Sequence, residues 1–75
     1  MITVYSKPGC KPCKMTKAKL NQMGVKYVER DVTWDANAFA NVEALGYREM
    51  PVVVNGEQHW SGFRPDLIAA LEVGQ

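Results

Sequence analysis

Ile2-Thr3-Val4-Tyr5-Ser6-Lys7-Pro8-Gly9-Cys10-Lys11-Pro12-Cys13 is the stretch on which the fold turns. Its first four residues are β-branched or aromatic and predict a strand. Ser6-Lys7-Pro8-Gly9 predicts a turn. Beyond it, Cys13, Thr16, Leu20 and Met23 fall on one helical stripe while the lysines fall mostly elsewhere. That pattern predicts a helix over about 11–23, with Gly24 as its C-terminal stop. A cysteine pair thus stands where a strand gives way to a helix.

The rest of the chain extends this beginning. Val25 to Arg30 predicts a second strand. Asp35 predicts the cap of a helix over about 36–45, with Phe39, Val42 and Leu45 inward and Gly46 ending it. Val52-Val53-Val54 predicts a buried strand. Asn55-Gly56 is a type I′ hairpin signal, and Glu57 to Trp60 the return strand. Pro65 suits the first position of a last helix, with Asp66 in its first turn and Leu67, Ile68 and Leu71 on its buried side. The order is β-α-β-α-β-β-α. A helix joins the first two strands, which makes them parallel, and the last two form an antiparallel hairpin. The expected class is α/β: three layers around a mixed four-stranded sheet, with residues 1–75 as one domain.

Composition narrows the function. In 75 residues, 47% are hydrophobic and 23% charged, the balance of a globular protein. The apolar runs are too short to span a bilayer, and the residues after Met1 lack the apolar stretch of a signal peptide. A cytoplasmic monomer is therefore expected. Two cysteines do not make a disulfide-rich scaffold, and with His59 they supply at most three soft metal ligands, so no metal site is expected. The net charge is only +1, yet it is unevenly spread. Residues 1–28 hold six lysines and no acid; residues 29–75 hold all eight acids and three arginines. The basic part reads either as a solvated helix face or as a positive field around Cys10. Without interleaved exposed aromatics, it does not read as a nucleic-acid surface.

Cys10-Lys11-Pro12-Cys13 carries the chemistry. A cysteine at a helix N-terminus lies beside unpaired backbone N–H groups, and these, with the helix dipole, favour the nucleophilic thiolate. Lys7, Lys11 and Lys14 add positive charge. Cys13, one turn on, is placed to resolve a mixed disulfide. Pro12 has no N–H to offer, which leaves the Cys13 N–H, and its S–H in the reduced form, as donors to the Cys10 sulfur. Two inert buried cysteines, or half a zinc site completed by a second chain, are the competing readings. Met50-Pro51, ahead of three valines, predicts a cis bond beside Cys10 that leaves the Met50 backbone free to pair with substrate; a trans proline at a strand start is the alternative.

These residues together resemble the thioredoxin/glutaredoxin superfamily, and within it the NrdH-redoxins. The resemblance runs from Ile2 through Cys10-Lys11-Pro12-Cys13, Ala44-Leu45-Gly46-Tyr47 and Met50-Pro51-Val52-Val53-Val54 to Trp60-Ser61-Gly62-Phe63-Arg64-Pro65-Asp66, which looks like that family's C-terminal signature. It implies a thioredoxin-like fold, with Cys10 as the attacking thiol and Cys13 as the resolving one. It implies a redox-active disulfide with no bound cofactor, electrons from NADPH through thioredoxin reductase, and class Ib ribonucleotide reductase as client. Lys7, Lys11, Pro12, Met50, Pro51, Trp60, Ser61, Gly62, Phe63 and Arg64 are the expected substrate or partner contacts. Lys11-Pro12 and the bulky Met50 depart from the family's usual residues and bear on substrate preference. A glutathione- or mycothiol-dependent glutaredoxin is the alternative. Lys7 agrees with it, whereas Arg64 and Pro65 stand where such proteins carry acidic residues. A non-catalytic interaction domain, linked by metal or disulfide, is a third reading. Within the signature, Trp60 reads equally as hairpin packing or as docking surface, and Phe63 as an exposed contact. Arg64 also reads as solvated or locally hydrogen-bonded. His59 reads as a surface residue, and Trp34 as cover for the core edge with no assigned role.

Overall fold

The computed structural model describes residues 1–71. Strand β1 (Ile2–Ser6) leads into helix α1 (Lys11–Met23). There follow β2 (Tyr27–Asp31), α2 (Ala36–Ala44), the hairpin β3 (Val52–Asn55) and β4 (Gln58–Ser61), and α3 (Pro65–Ala69). The sheet order is β2-β1-β3-β4. β1 runs parallel to β2, from Ile2 opposite Tyr27 to Ser6 opposite Asp31. β3 is antiparallel to both β1 and β4. The expected order and mixed sheet are therefore present.

Strand alternation explains the layers. Val4 pairs with Val53 and sends its side chain to one face, where Ile2, Leu20 of α1, Trp60 and Ile68 of α3 complete a core. Tyr5 pairs with Val52 on the other face, where Ala38 and Val42 of α2 cover them. Both faces of β1 and β3 are thus buried. β2 is an edge strand, and its Val28 is exposed.

Four expectations change. The second strand begins at Tyr27 rather than Val25, because Val25 belongs to the end of α1. Its N–H donates to the Leu20 carbonyl at 3.0 Å, beside Gly24 at φ 72°, and its side chain enters the core. In α2 the buried stripe is Ala38 and Val42, not Phe39, Val42 and Leu45; Phe39 and Leu45 are exposed. The small Ala38 sits against the sheet, and Phe39, about 100° further around the helix, points away from it. The hairpin loop is Gly56-Glu57, one residue later than read, since Asn55 pairs with Gln58. Positive φ occurs at Gly56 alone of these two, whereas a type I′ turn needs it at both. Trp34 is 81% exposed and covers no core edge.

Among the described residues, no helix is long and apolar enough to cross a membrane. None of their His, Cys, Asp and Glu side chains form a group of three or more able to hold a metal ion.

Candidate active site

Cys10 is the N-cap of α1, with extended backbone (φ −97°, ψ 106°). Its sulfur accepts a hydrogen bond from the Cys13 N–H at 3.2 Å, and its carbonyl accepts from the Lys14 N–H at 3.1 Å. Pro12 lies in the first turn, where a missing N–H breaks no helical bond. Cys10 and Cys13 form a disulfide with 5.2 Å between their Cα atoms. The two sulfurs differ in surroundings. Cys10 keeps 6% exposure at the helix tip, whereas Cys13 keeps 1% and faces inward. Lys7, Lys11 and Lys14 are exposed around the helix start.

Met50-Pro51 is cis, and the Met50 carbonyl oxygen lies 3.6 Å from Cys10 Sγ. That segment is tied to β4. The Ser61 hydroxyl donates to the Glu49 carbonyl at 2.7 Å, and the Gly62 N–H donates to the Pro51 carbonyl at 2.8 Å. The Tyr47 hydroxyl meets His59 Nδ1 at 2.7 Å, and the rings pack edge to face. Residues 47–51 are therefore held between Cys10 on one side and β4 on the other. Beside Met50, a groove of about 870 Å³ opens between α2 and this loop, lined by Phe39, Val42, Glu43, Tyr47 and Arg48 among others.

The C-terminal signature divides. Trp60 is 4% exposed, opposite Val53 in the core, so it packs and presents no docking surface. Phe63 is half-buried and leans on the same core rather than standing free. Ser61 and Gly62 tie down the Met50-Pro51 loop. Arg64 pairs locally with Asp66, its Nε and one terminal nitrogen reaching the carboxylate at 3.2 and 3.0 Å. That guanidinium holds the Asp66 carboxyl below its usual range, and the carboxylate in turn raises Arg64. The structure therefore brings Cys10, Cys13, Met50 and Pro51 together, with Ser61 and Gly62 behind them. Trp60 lies on the far side of the sheet from Val52.

Sequence reasoning missed the tether from Tyr47 to His59, because a contact twelve residues apart across a loop leaves no periodic signal. It placed Thr16 on the apolar stripe of α1 without giving it a role. A hydroxyl on such a stripe, one turn from a cysteine, was the available signal.

Two further ion pairs fix the frame. Glu29 on β2 accepts from Lys17 of α1 and from the buried Ser6 hydroxyl, both at 2.7 Å, and these bonds hold its carboxyl below the ordinary range. Asp35 caps α2 through the Ala38 N–H at 3.1 Å and also grips Arg30, which lies over the Tyr5 ring. The Ala38 N–H is the main reason its carboxyl is lowered.

A strand, a Cys-x-x-Cys pair capping the next helix, and a cis-proline loop against the first sulfur define a thiol–disulfide redoxin of thioredoxin-like fold. The glutaredoxin family model matches residues 2–60. The glutaredoxin-like protein NrdH of Salmonella typhimurium is 37% identical over 70 residues, covering 93% of this chain and 86% of that one. Its counterpart from Lactococcus lactis is 35% identical and covers 95% and 99%. The solved structure of Escherichia coli NrdH-redoxin, a glutaredoxin-like protein described as having a thioredoxin-like activity profile, superposes with a TM-score of 0.91 at 35% identity over 99% of this chain and 97% of that one. The chain belongs to the NrdH-redoxins of the glutaredoxin family, and is a thiol–disulfide oxidoreductase.

Proposed function

We propose that this redoxin takes electrons from NADPH through thioredoxin reductase and passes them to the disulfide of a class Ib ribonucleotide reductase in the cytoplasm. Cys10, at the helix tip and with its sulfur on an N–H donor, attacks the client disulfide. Cys13, buried one turn below, attacks the resulting mixed disulfide, releases the reduced client and leaves the Cys10–Cys13 disulfide to be reduced again. Met50 offers its backbone to the client beside Cys10, and the exposed Lys7 and Lys11 flank the approach.

The observation that carries the choice of donor is the start of α3. A glutathione carboxylate would need free N–H groups or a cation there, and its amino group an acid. In this chain Pro65 lacks the N–H, and the Arg64 guanidinium and Asp66 carboxylate are engaged with each other. The thioredoxin-like profile named for the Escherichia coli relative points the same way. A polar mismatch of this kind is worth about 1–3 kcal/mol, or one to two decades of affinity.

NADPH oxidation with insulin as substrate tests the reading. Thioredoxin reductase is supplied in one cuvette, and glutathione with its reductase in the other. Rapid turnover is expected in the first, and at least tenfold slower turnover in the second. Replacing Arg64 and Pro65 by aspartates should narrow the gap. Equal turnover in the two cuvettes by the unmodified protein would restore the glutathione-dependent reading.

A further inference from the structure

Resolution of a mixed disulfide requires a negative charge on the Cys13 sulfur, and that sulfur is buried. A buried charge is costly unless a hydrogen bond meets it. Cys10 has such a donor in the Cys13 N–H. For Cys13, the candidates within the fold are few. Among the described residues, no Asp, Glu, Lys, Arg or His is buried; the buried residues of polar type are Ser6 and Thr16. The Ser6 hydroxyl already donates to Glu29.

Thr16 remains. It is 0% exposed, and its Oγ1 has no hydrogen-bond partner within the protein. It lies three residues after Cys13 on the same buried face of α1. Helical side chains lean back over the preceding turn, so Thr16 covers the turn that carries Cys13. An unpaired buried hydroxyl is a standing penalty in the disulfide state. Opening the disulfide turns the neighbouring sulfur into a thiolate or thiol, and a thiolate is a far stronger acceptor than a disulfide sulfur.

We propose that the Thr16 hydroxyl donates a hydrogen bond to the Cys13 sulfur once the disulfide is open, stabilising the resolving thiolate and biasing the pair toward its reduced form. In the step it assists, the Cys13 thiol first gives its proton to solvent. The thiolate electron pair then forms the Cys13–Cys10 bond as the bond from Cys10 to the client sulfur breaks. The client leaves with that bonding pair as a thiolate and takes a proton from solvent. Across the cycle the dithiol loses two electrons and the client disulfide gains two. Thr16 keeps its proton throughout. This rests on Cys13 being the resolving thiol, and is independent of the donor and client named above.

The test uses Thr16→Val, which keeps the shape and removes the hydroxyl, and Thr16→Ser, which keeps the hydroxyl. Each reduced protein is mixed with 5,5′-dithiobis(2-nitrobenzoate). Attack by Cys10 releases a first chromophore, and resolution by Cys13 a second. The first phase should be unchanged in Thr16→Val and the second about tenfold slower at neutral pH, the worth of one hydrogen bond to a charged group. Equilibration with dithiothreitol should shift about tenfold toward the disulfide, which is about 30 mV. Thr16→Ser should restore both. A second phase and an equilibrium within twofold of the unmodified protein in Thr16→Val would overturn the proposal. If Thr16→Val does not fold, Thr16→Ser and Thr16→Ala are compared, and equal second phases overturn it likewise. Release of one chromophore per reduced unmodified protein, where resolution by Cys13 requires two, would instead refute Cys13 as the resolving thiol, a different failure.

Discussion

Two cysteines three residues apart have unlike environments, and the roles proposed for them rest on that difference. Cys10 sits at the helix tip, where the first-turn N–H groups and the dipole favour a charge on sulfur. Cys13 sits inside the turn with 1% exposure, against 6% for Cys10. Cys10→Ser is therefore expected to abolish reduction of a disulfide client, and Cys13→Ser to accumulate a mixed disulfide on Cys10. Mass spectrometry of the trapped adduct checks this. An adduct on Cys13 in the Cys10→Ser protein would reverse the roles. Pro12 sharpens the contrast. It removes one N–H from the set facing Cys10 and leaves that of Cys13 as the bond seen at 3.2 Å.

At the scale of elements, α1 is held at both ends. Its N-terminus is capped by Cys10, and its last turn closes through Gly24 and Val25 onto the Leu20 and Asn21 carbonyls. Between them, Lys17 reaches across to Glu29 on the edge strand β2, where the Ser6 hydroxyl also donates. The same carboxylate thus joins α1, β1 and β2. Its folded pKa lies below the ordinary glutamate value of 4.5. The sign follows from linkage: the stabilisation is fully present above the ordinary value and is lost as pH falls through the lower folded one. Glu29 is 41% exposed, so solvent screening holds the contribution within about 1 kcal/mol. Thermal melts of the unmodified protein and Glu29→Gln should differ most near neutral pH and converge below pH 4.5. A difference that persists undiminished in acid would mean that the carboxylate's charge does not contribute.

For the whole molecule, 75 residues leave little stability to spare, about 4–11 kcal/mol by size. Trp60 is the largest side chain in the core beneath β1 and β3, where it meets α1 and α3. Trp60→Ala should lower stability by about 3–5 kcal/mol, from about a quarter of that total to all of it. Trp34→Ala, at an exposed site, should stay within about 0.5 kcal/mol. Urea denaturation measures both. If Trp60→Ala kept its stability and lost only client reduction, Trp60 would be a docking residue after all.

Element order, strand directions and the position of the cysteine pair were legible along the chain, because each rests on local chemistry. β-branched runs favour strands, the 11–23 stripe repeats at the helical period, and Asp35 and Gly24 mark helix ends by hydrogen bonds within a few residues. The first cysteine's place at a helix start belongs to the same class. What only the tertiary structure decided depends on contacts distant in sequence. Phe39 and Ala38 are neighbours in α2, and which one faces the sheet was settled by the fit against Tyr5 and Val52. Val25 was a strand residue by propensity until the helix cap claimed its N–H. Trp60 was divided between packing and docking, and pairing opposite Val53 buried it. The meeting of the Met50 carbonyl with the Cys10 sulfur, and the ties of that loop to β4 through Ser61 and through Tyr47 with His59, join residues up to fifty apart in the chain and need β4 beside β3. Hydrogen bonds to near neighbours can be read from local residue types, whereas burial is a property of the packed whole, and a residue's type does not say which face the rest of the molecule will cover.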